Sequence, residues 1–214
     1  MHRRDLVPLS LLVVSGLALA VSGIQPKDRL TWWMEVAPFL MVAPILLATY
    51  RRMRLTDLFY LLIALHACVL FVGGHYTYAE VPLGFWAEGV FGWSRNNYDR
   101  LGHFFQGFVP ALATREVLLR TTPLRRGAWL SFLVVCVCLA ASAGYELVEW
   151  RAAVGLGQGA DAFLGTQGDP WDTQEDMAMA LLGAVSALLL LSRFHDRALA
   201  RHSASMASMA STER

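Results

Sequence analysis

Apolar residues in this chain gather into six long runs divided by short polar stretches. Leu6–Ile24, Trp32–Tyr50, Thr56–Val72, Leu101–Leu119, Trp129–Val148 and Met177–Ser192 each approach the ~20 residues of helix that cross a bilayer. The pattern predicts an all-α polytopic bundle of six transmembrane helices, forming one integral membrane domain over residues 1–196. The tail, 197–214, ends SASMASMASTER without a periodic apolar face and is expected to be disordered and cytoplasmic. Between the third and fourth runs lies GGHYTYAEVPLGFWAEGVFGWSRNNY. Its aromatic residues and glycines suit an interfacial or re-entrant segment over the mouth of the bundle. Pro38 and Pro44 are expected to break the second span.

Composition agrees with a membrane chain. The 214 residues are 56% hydrophobic and 16% charged, against about 25% charged in an ordinary soluble domain. A net charge of +1 points to no class of partner, and the scattered arginines form no nucleic-acid patch. Membrane lipids are the partners this composition implies. Cys68, Cys136 and Cys138 all fall in predicted spans, where packing is the expected role. The N-terminal stretch also fits a signal peptide, with Arg3 and Arg4 before a short apolar core and Ala18-Leu19-Ala20 as a cleavage-like site. Its retention as the first span is expected, because it then packs as part of the bundle.

Positive charge sets the expected orientation. If the six runs alternate across the membrane, thirteen arginines fall on one side and five lysine or arginine residues on the other. The excess marks the cytoplasmic side, so both termini are expected inside.

That orientation brings an acidic and histidine cluster to the extracytoplasmic ends of three spans. Asp99, His103 and Gln106 share one helical stripe, continued by Gly107 and Pro110. Ser142, Glu146 and Glu149 share another, above a small-residue patch at Ala140, Ala141, Ala143 and Gly144. Asp172, Asp176, Ala180 and Gly183 share a third. If the small surfaces meet, the polar ends meet as well. Ionisable groups inside spans are costly and usually face the bundle interior for a functional reason. Asp99, His103, Glu146, Glu149, Asp172 and Asp176 are therefore the candidate catalytic residues. His103, Glu146 and Asp176 are the candidate ligands for a divalent metal, since carboxylates with one imidazole suit Mn, Mg or Zn.

Plainer roles compete. Asp172 with Glu175 fits a helix N-terminal cap, Asp169 before Pro170 a turn, and Glu146 and Glu149 ion pairs with Arg100 or Arg151. His66 reads as structural, His75 with Tyr76 and Tyr78 as an aromatic belt, and Glu35 beside Trp32 and Trp33 as a mark of the membrane surface. A metal- or acid/base-dependent enzyme acting on an envelope lipid headgroup is the leading expectation. A small-solute or proton-coupled transporter and a membrane assembly partner are the alternatives. Repeats expected of many transporters are not evident. The sequence pattern also places the strong polar groups at one face, which favours a site over a conduit. No G-x-S-x-G, H-E-x-x-H, P-loop or G-x-G-x-x-G pattern is present.

The stretches YDRLGHFFQGFVPAL, GYELVEW and FLGTQGDPWDTQEDMAMALLGA, with the six-run layout, resemble the bacterial inner-membrane protein family named for YjdF. The resemblance implies a six-span protein of the bacterial inner membrane and brings no reaction with it. A fainter similarity is to VanZ-like membrane proteins, in which an Asp and a His one turn apart open a span. There a Glu ends a later span and an Asp precedes a glycine-containing last one. Asp99, His103, Glu146 and Asp176 with Gly183 match those positions. Met177-Ala178-Met179, with no Asn before the glycine, departs from that pattern.

Overall fold

A computed structural model of the chain describes residues 5–156 and 166–212. Arg3, Arg4 and Arg214 of the charge asymmetry, and residues 163–165 of the third resemblance stretch, lie outside them. The described residues form seven α-helices: α1 (Leu6–Ser22), α2 (Arg29–Thr49), α3 (Asp57–Tyr76), α4 (Pro82–Phe91), α5 (Tyr98–Thr121), α6 (Ala128–Leu156) and α7 (Asp172–Thr212). A 3₁₀ turn, Tyr78–Glu80, joins α3 to α4.

Four helices, α2, α3, α6 and α7, are long and apolar enough to cross a membrane. Helix α1 is apolar but only 17 residues long. Helix α5 has 24 residues, with Asp99, Arg100, Arg115, Glu116 and Arg120 toward its ends. The aromatic segment after the third run is the short helix α4, which turns Phe85, Trp86 and Phe91 outward. Helix α7 continues past residue 196 to Thr212, through the tail read from sequence as disordered. Alanine and methionine there are good helix formers.

Pro38 and Pro44 do not break the second span, because α2 runs through both. Within a membrane bundle, neighbouring groups and small local adjustments re-satisfy the carbonyls that proline leaves free. The Asp28 carboxylate caps this helix, accepting from the Thr31 N–H at 2.7 Å.

Helix α5 is the hub. It packs most extensively on α7 and also against α3 and α6, while α1 and α2 flank α3. The α5–α7 crossing is backbone on backbone. A Cβ at Gly107 would land on the Ala180 carbonyl, 2.9 Å from Ala180 Cα, and one at Gly183 would land on the Phe104 carbonyl. The small residues of the α6 patch behave differently. Ala140, Ala141 and Gly144 face outward, and a Cβ at Gly144 would meet nothing. Helix α6 instead packs through Leu130, Val134, Cys138 and Ser142, all at most 2% exposed.

The polar groups are not confined to one end. At the arginine-rich end Glu116 and His195 are fully buried. Glu116 accepts from the Thr56 N–H and hydroxyl at 3.2 and 3.0 Å and from Arg120 at 2.8 Å, and His195 Nε2 lies 3.1 Å away. Arg115 reaches His195 Nδ1 at 3.1 Å and donates to Asp196 at 2.8 Å. Nothing in the local sequence marks these charges near helix ends as buried; a neighbouring helix covers them. Apolar layers, including Leu62, Val109, Leu112, Val134 and Ala184, separate it from the cluster at the other end. Glu116→Ala would strand His195, Arg120 and the Thr56 amide, so it is expected to cost about 3–5 kcal/mol. Arg126→Ala, at an exposed partner of Asp196, should cost less than about 1 kcal/mol. Denaturant unfolding in detergent compares the two.

Candidate functional site

Three helix ends converge where the sequence pattern placed them. Asp99 and His103 of α5, Glu146 and Glu149 of α6, and Asp172 and Asp176 of α7 are all buried, between 3% and 9% exposed. The Gly107–Ala180 and Gly183–Phe104 contacts set how closely α5 meets α7, and hence bring His103 to Asp176. His103 Nε2 lies 3.6 Å from Asp176 Oδ2, and its Nδ1 lies 3.6 Å from Glu146 Oε1. One ligand atom from each of His103, Glu146 and Asp176 falls within 4.8 Å of the other two, and Asp99, Asp172 and Asp176 form a second such triad.

Arg95 distinguishes the two triads. It stands just before α5, and its guanidinium donates to Asp99 at 2.7 Å, Asp172 at 2.7 Å and Asp169 at 3.2 Å. The second triad therefore already holds a cation. Arg100 pairs with Asp169 and Glu175. Asp172 and Glu175 are thus arginine partners, beyond any capping role. Asp169 makes the expected turn, accepting from Trp171 N–H at 2.9 Å. That bond, helped by Arg95 and Arg100, holds its carboxyl below the usual range. Neither Glu146 nor Glu149 pairs with an arginine among the described residues.

The first triad has no such cation. Glu146 Oε1 and Asp176 Oδ1 are buried without any hydrogen-bond partner, and so is the Ser142 hydroxyl one turn below Glu146. Buried acceptors without partners are rare because each forfeits its hydration for nothing. His103 Nδ1 lies 3.0 Å from Gln106 Oε1. An Nδ1–H donated there fixes the ring and leaves the Nε2 lone pair facing Asp176, as the outer partner of a metal-binding histidine does.

A cavity of about 80 Å³ adjoins the triad, lined by His103, Asp99 and Glu149 together with Glu35, Tyr78 and Tyr145. Glu35 is 4% exposed, so it does not mark the membrane surface. Its position beside two tryptophans suggested an interface, but Trp32 is itself buried, with its Nε1–H donated to the Ser22 hydroxyl at 3.0 Å. His66 also lines the cavity, stacked on Phe105, and its Nε2 has no partner. His75 keeps an end-of-helix role, with Nδ1 2.9 Å from the Ser22 carbonyl. Arg95 and Glu35 meet groups on helices distant in sequence, Arg95 at Asp172 and Glu35 at the cavity shared with Glu149, which local spacing does not reveal. Arg95 at i−4 from Asp99 was the available hint.

Two loops close over this end. Arg95 donates to the Thr166 carbonyl at 2.9 Å, and Asn96 and Gln167 exchange hydrogen bonds of 3.2 and 2.7 Å.

A family of predicted membrane proteins, DUF2238, matches residues 7–197. The chain is 56% identical over 202 residues to the inner membrane protein YjdF of Escherichia coli K12, covering 92% of this chain and 96% of that protein. No solved structure matches.

Proposed function

Because the chain belongs to the DUF2238 family of membrane proteins, to which the YjdF resemblance also leads, we propose that His103, Glu146 and Asp176 bind one divalent metal inside a six-span bundle of the bacterial inner membrane. The observation that carries this reading is the pair of buried, partnerless carboxylate oxygens, Glu146 Oε1 and Asp176 Oδ1, flanking an imidazole already oriented by Gln106. Three protein ligands leave a coordination position for water or substrate. A metal there supplies Lewis acidity or a nucleophilic water. Asp99 and Asp172 gather beside Asp176, Glu149 lines the adjoining cavity, and Arg95 holds Asp99 and Asp172 in place. The substrate class this arrangement suits is an envelope lipid headgroup. Metal analysis of the detergent-purified protein tests the reading. About one equivalent of Mn, Mg or Zn is expected, with thermal stability lowered by a chelator. A chain that remains metal-free after supplementation with each of the three decides against it.

Six spans, with α1 and α5 as crossing helices, fit the helix ends. Asp176 and His195, two buried polar groups of α7, are separated by roughly 28 Å of helix at 1.5 Å per residue, close to the ~30 Å hydrocarbon thickness. Helix α5 runs beside α7 with buried polar groups at both its own ends. With the arginine excess inside, both termini are cytoplasmic and the metal site is extracytoplasmic. Reporter fusions at residues 92 and 212 are expected to report opposite sides. An active periplasmic reporter at 212 contradicts this orientation.

A transporter is the second reading, favoured by the Glu116–His195 network at the opposite end. The apolar layers between the two networks favour the enzyme.

A further inference from the structure

Glu35, on α2, lines the cavity beside His103. It is 4% exposed, and no hydrogen bond or ion pair reaches it among the described residues. It lines the cavity of about 80 Å³ together with Glu149 from α6 and Asp99 from α5. No lysine or arginine lines that space among the described residues. Arg95, which pairs with the cavity-lining Asp99, is also held by Asp169 and Asp172. The rings of Tyr78 and Tyr145 supply further walls.

The size and lining decide which cation fits. A single water occupies about 10–15 Å³ on the same measure, so the space exceeds a bare ion and accommodates a small organic group. A hard divalent ion needs several oxygens converging on one point at ~2–2.6 Å; His103, Glu146 and Asp176 bring ligand atoms within 4.8 Å of one another, whereas Glu35 and Glu149 belong to no such group among the described residues. An ammonium group suits carboxylates on opposing helices, because its N–H bonds diverge, and phenol faces attract it further.

We propose that this cavity binds an organic ammonium group, with Glu35 and Glu149 accepting its N–H bonds and Tyr78 and Tyr145 beside it. This deepens the metal-site reading, since it places a substrate's amine next to His103. It rests on that reading only for the catalytic consequence and not for the binding. The same chemistry is presented by the amino headgroup of a membrane lipid and by a small soluble amine.

The test uses the full-length protein in detergent, titrated with ethanolamine hydrochloride against sodium chloride of equal ionic strength. A saturable rise in Tm and a change in tryptophan fluorescence are expected with ethanolamine only. E35Q is expected to weaken binding at least tenfold while retaining its metal, and E149Q provides the same comparison should E35Q not fold. In a second arm, native mass spectrometry follows protein from vesicles of phosphatidylethanolamine or phosphatidylglycerol. Selective, Glu35-dependent retention of phosphatidylethanolamine identifies the lipid source, and a response to free ethanolamine alone identifies a soluble amine. Glu35-dependent ethanolamine binding by a metal-free wild type supports this inference and overturns the metal reading. A wild type that holds its metal and responds to neither probe overturns this inference alone, as does E35Q binding both probes like the wild type.

Discussion

Gly107→Val is expected to prevent stable folding, at a cost above about 4 kcal/mol, a magnitude reserved for severe core disruption. The reason is the absence of anything that can yield. The first added carbon would sit on the Ala180 carbonyl, 2.6 Å from its carbon and 2.9 Å from Cα. All these atoms are backbone of α7, so relief requires the two helices to separate along their whole contact. Such separation would also empty the layer of Ala111, Ala184 and Ala187, each 0% exposed. Gly144→Ala is the matched comparison. It lies in a helix with nothing within 4 Å of the new methyl, so it is expected to be neutral or stabilising by up to about 1 kcal/mol. Thermal unfolding in detergent reads both. A Gly107→Val protein within about 1 kcal/mol of wild type contradicts the close crossing.

Asp176→Asn is expected to remove the metal while leaving the fold intact. Losing an outer partner of a metal ligand costs 10–100-fold in affinity, and losing a ligand charge should cost about 100-fold or more. His103→Gln should do the same. Stability of the metal-free forms should stay within about 1–2 kcal/mol, since buried charges left without a counter-ion stabilise little. Asp176 stands near Asp99 and Asp172, so neutralising it also relieves like-charge repulsion. Metal content and unfolding measured on the same preparation separate the outcomes. If Asp176→Asn keeps its metal, or loses several kcal/mol with binding unchanged, the carboxylate serves structure and not ligation.

The helices were legible because apolar runs announce themselves by length. The convergence of Asp99, His103, Glu146 and Asp176 was legible because Gly107, Ala180 and Gly183 lie on the same stripes as the polar groups. The α6 patch misled for an instructive reason. In water, small residues next to polar ones suggest packing, but a membrane helix exposes alanine to lipid at no cost. Its true contact stripe, Val134–Cys138–Ser142, steps by four residues directly below Glu146. Arg95 and Glu35 depend on tertiary placement. Arg95 reaches across to α7 from the loop before α5, and Glu35 faces a cavity made largely by helices that follow it in sequence. The Glu116–His195 network stayed hidden because charge near a helix end looks solvated until a neighbouring helix covers it.

The α5–α7 crossing also divides the site between two kinds of support. Two helices whose backbones interlock at Gly107 and Gly183 neither slide nor rotate past one another, so together they act as a fixed post. The His103–Asp176 spacing is built into that post. The cavity is different, because two of its walls, Glu35 on α2 and Glu149 on α6, belong to helices outside the post. Helix α2 leans on α3 and α6 on the post itself, so the Glu35 wall and the His103–Asp176 pair rest on different supports. A change in the tilt of α2 against α3 would therefore reshape the Glu35 wall of the cavity while leaving the His103–Asp176 pair in place.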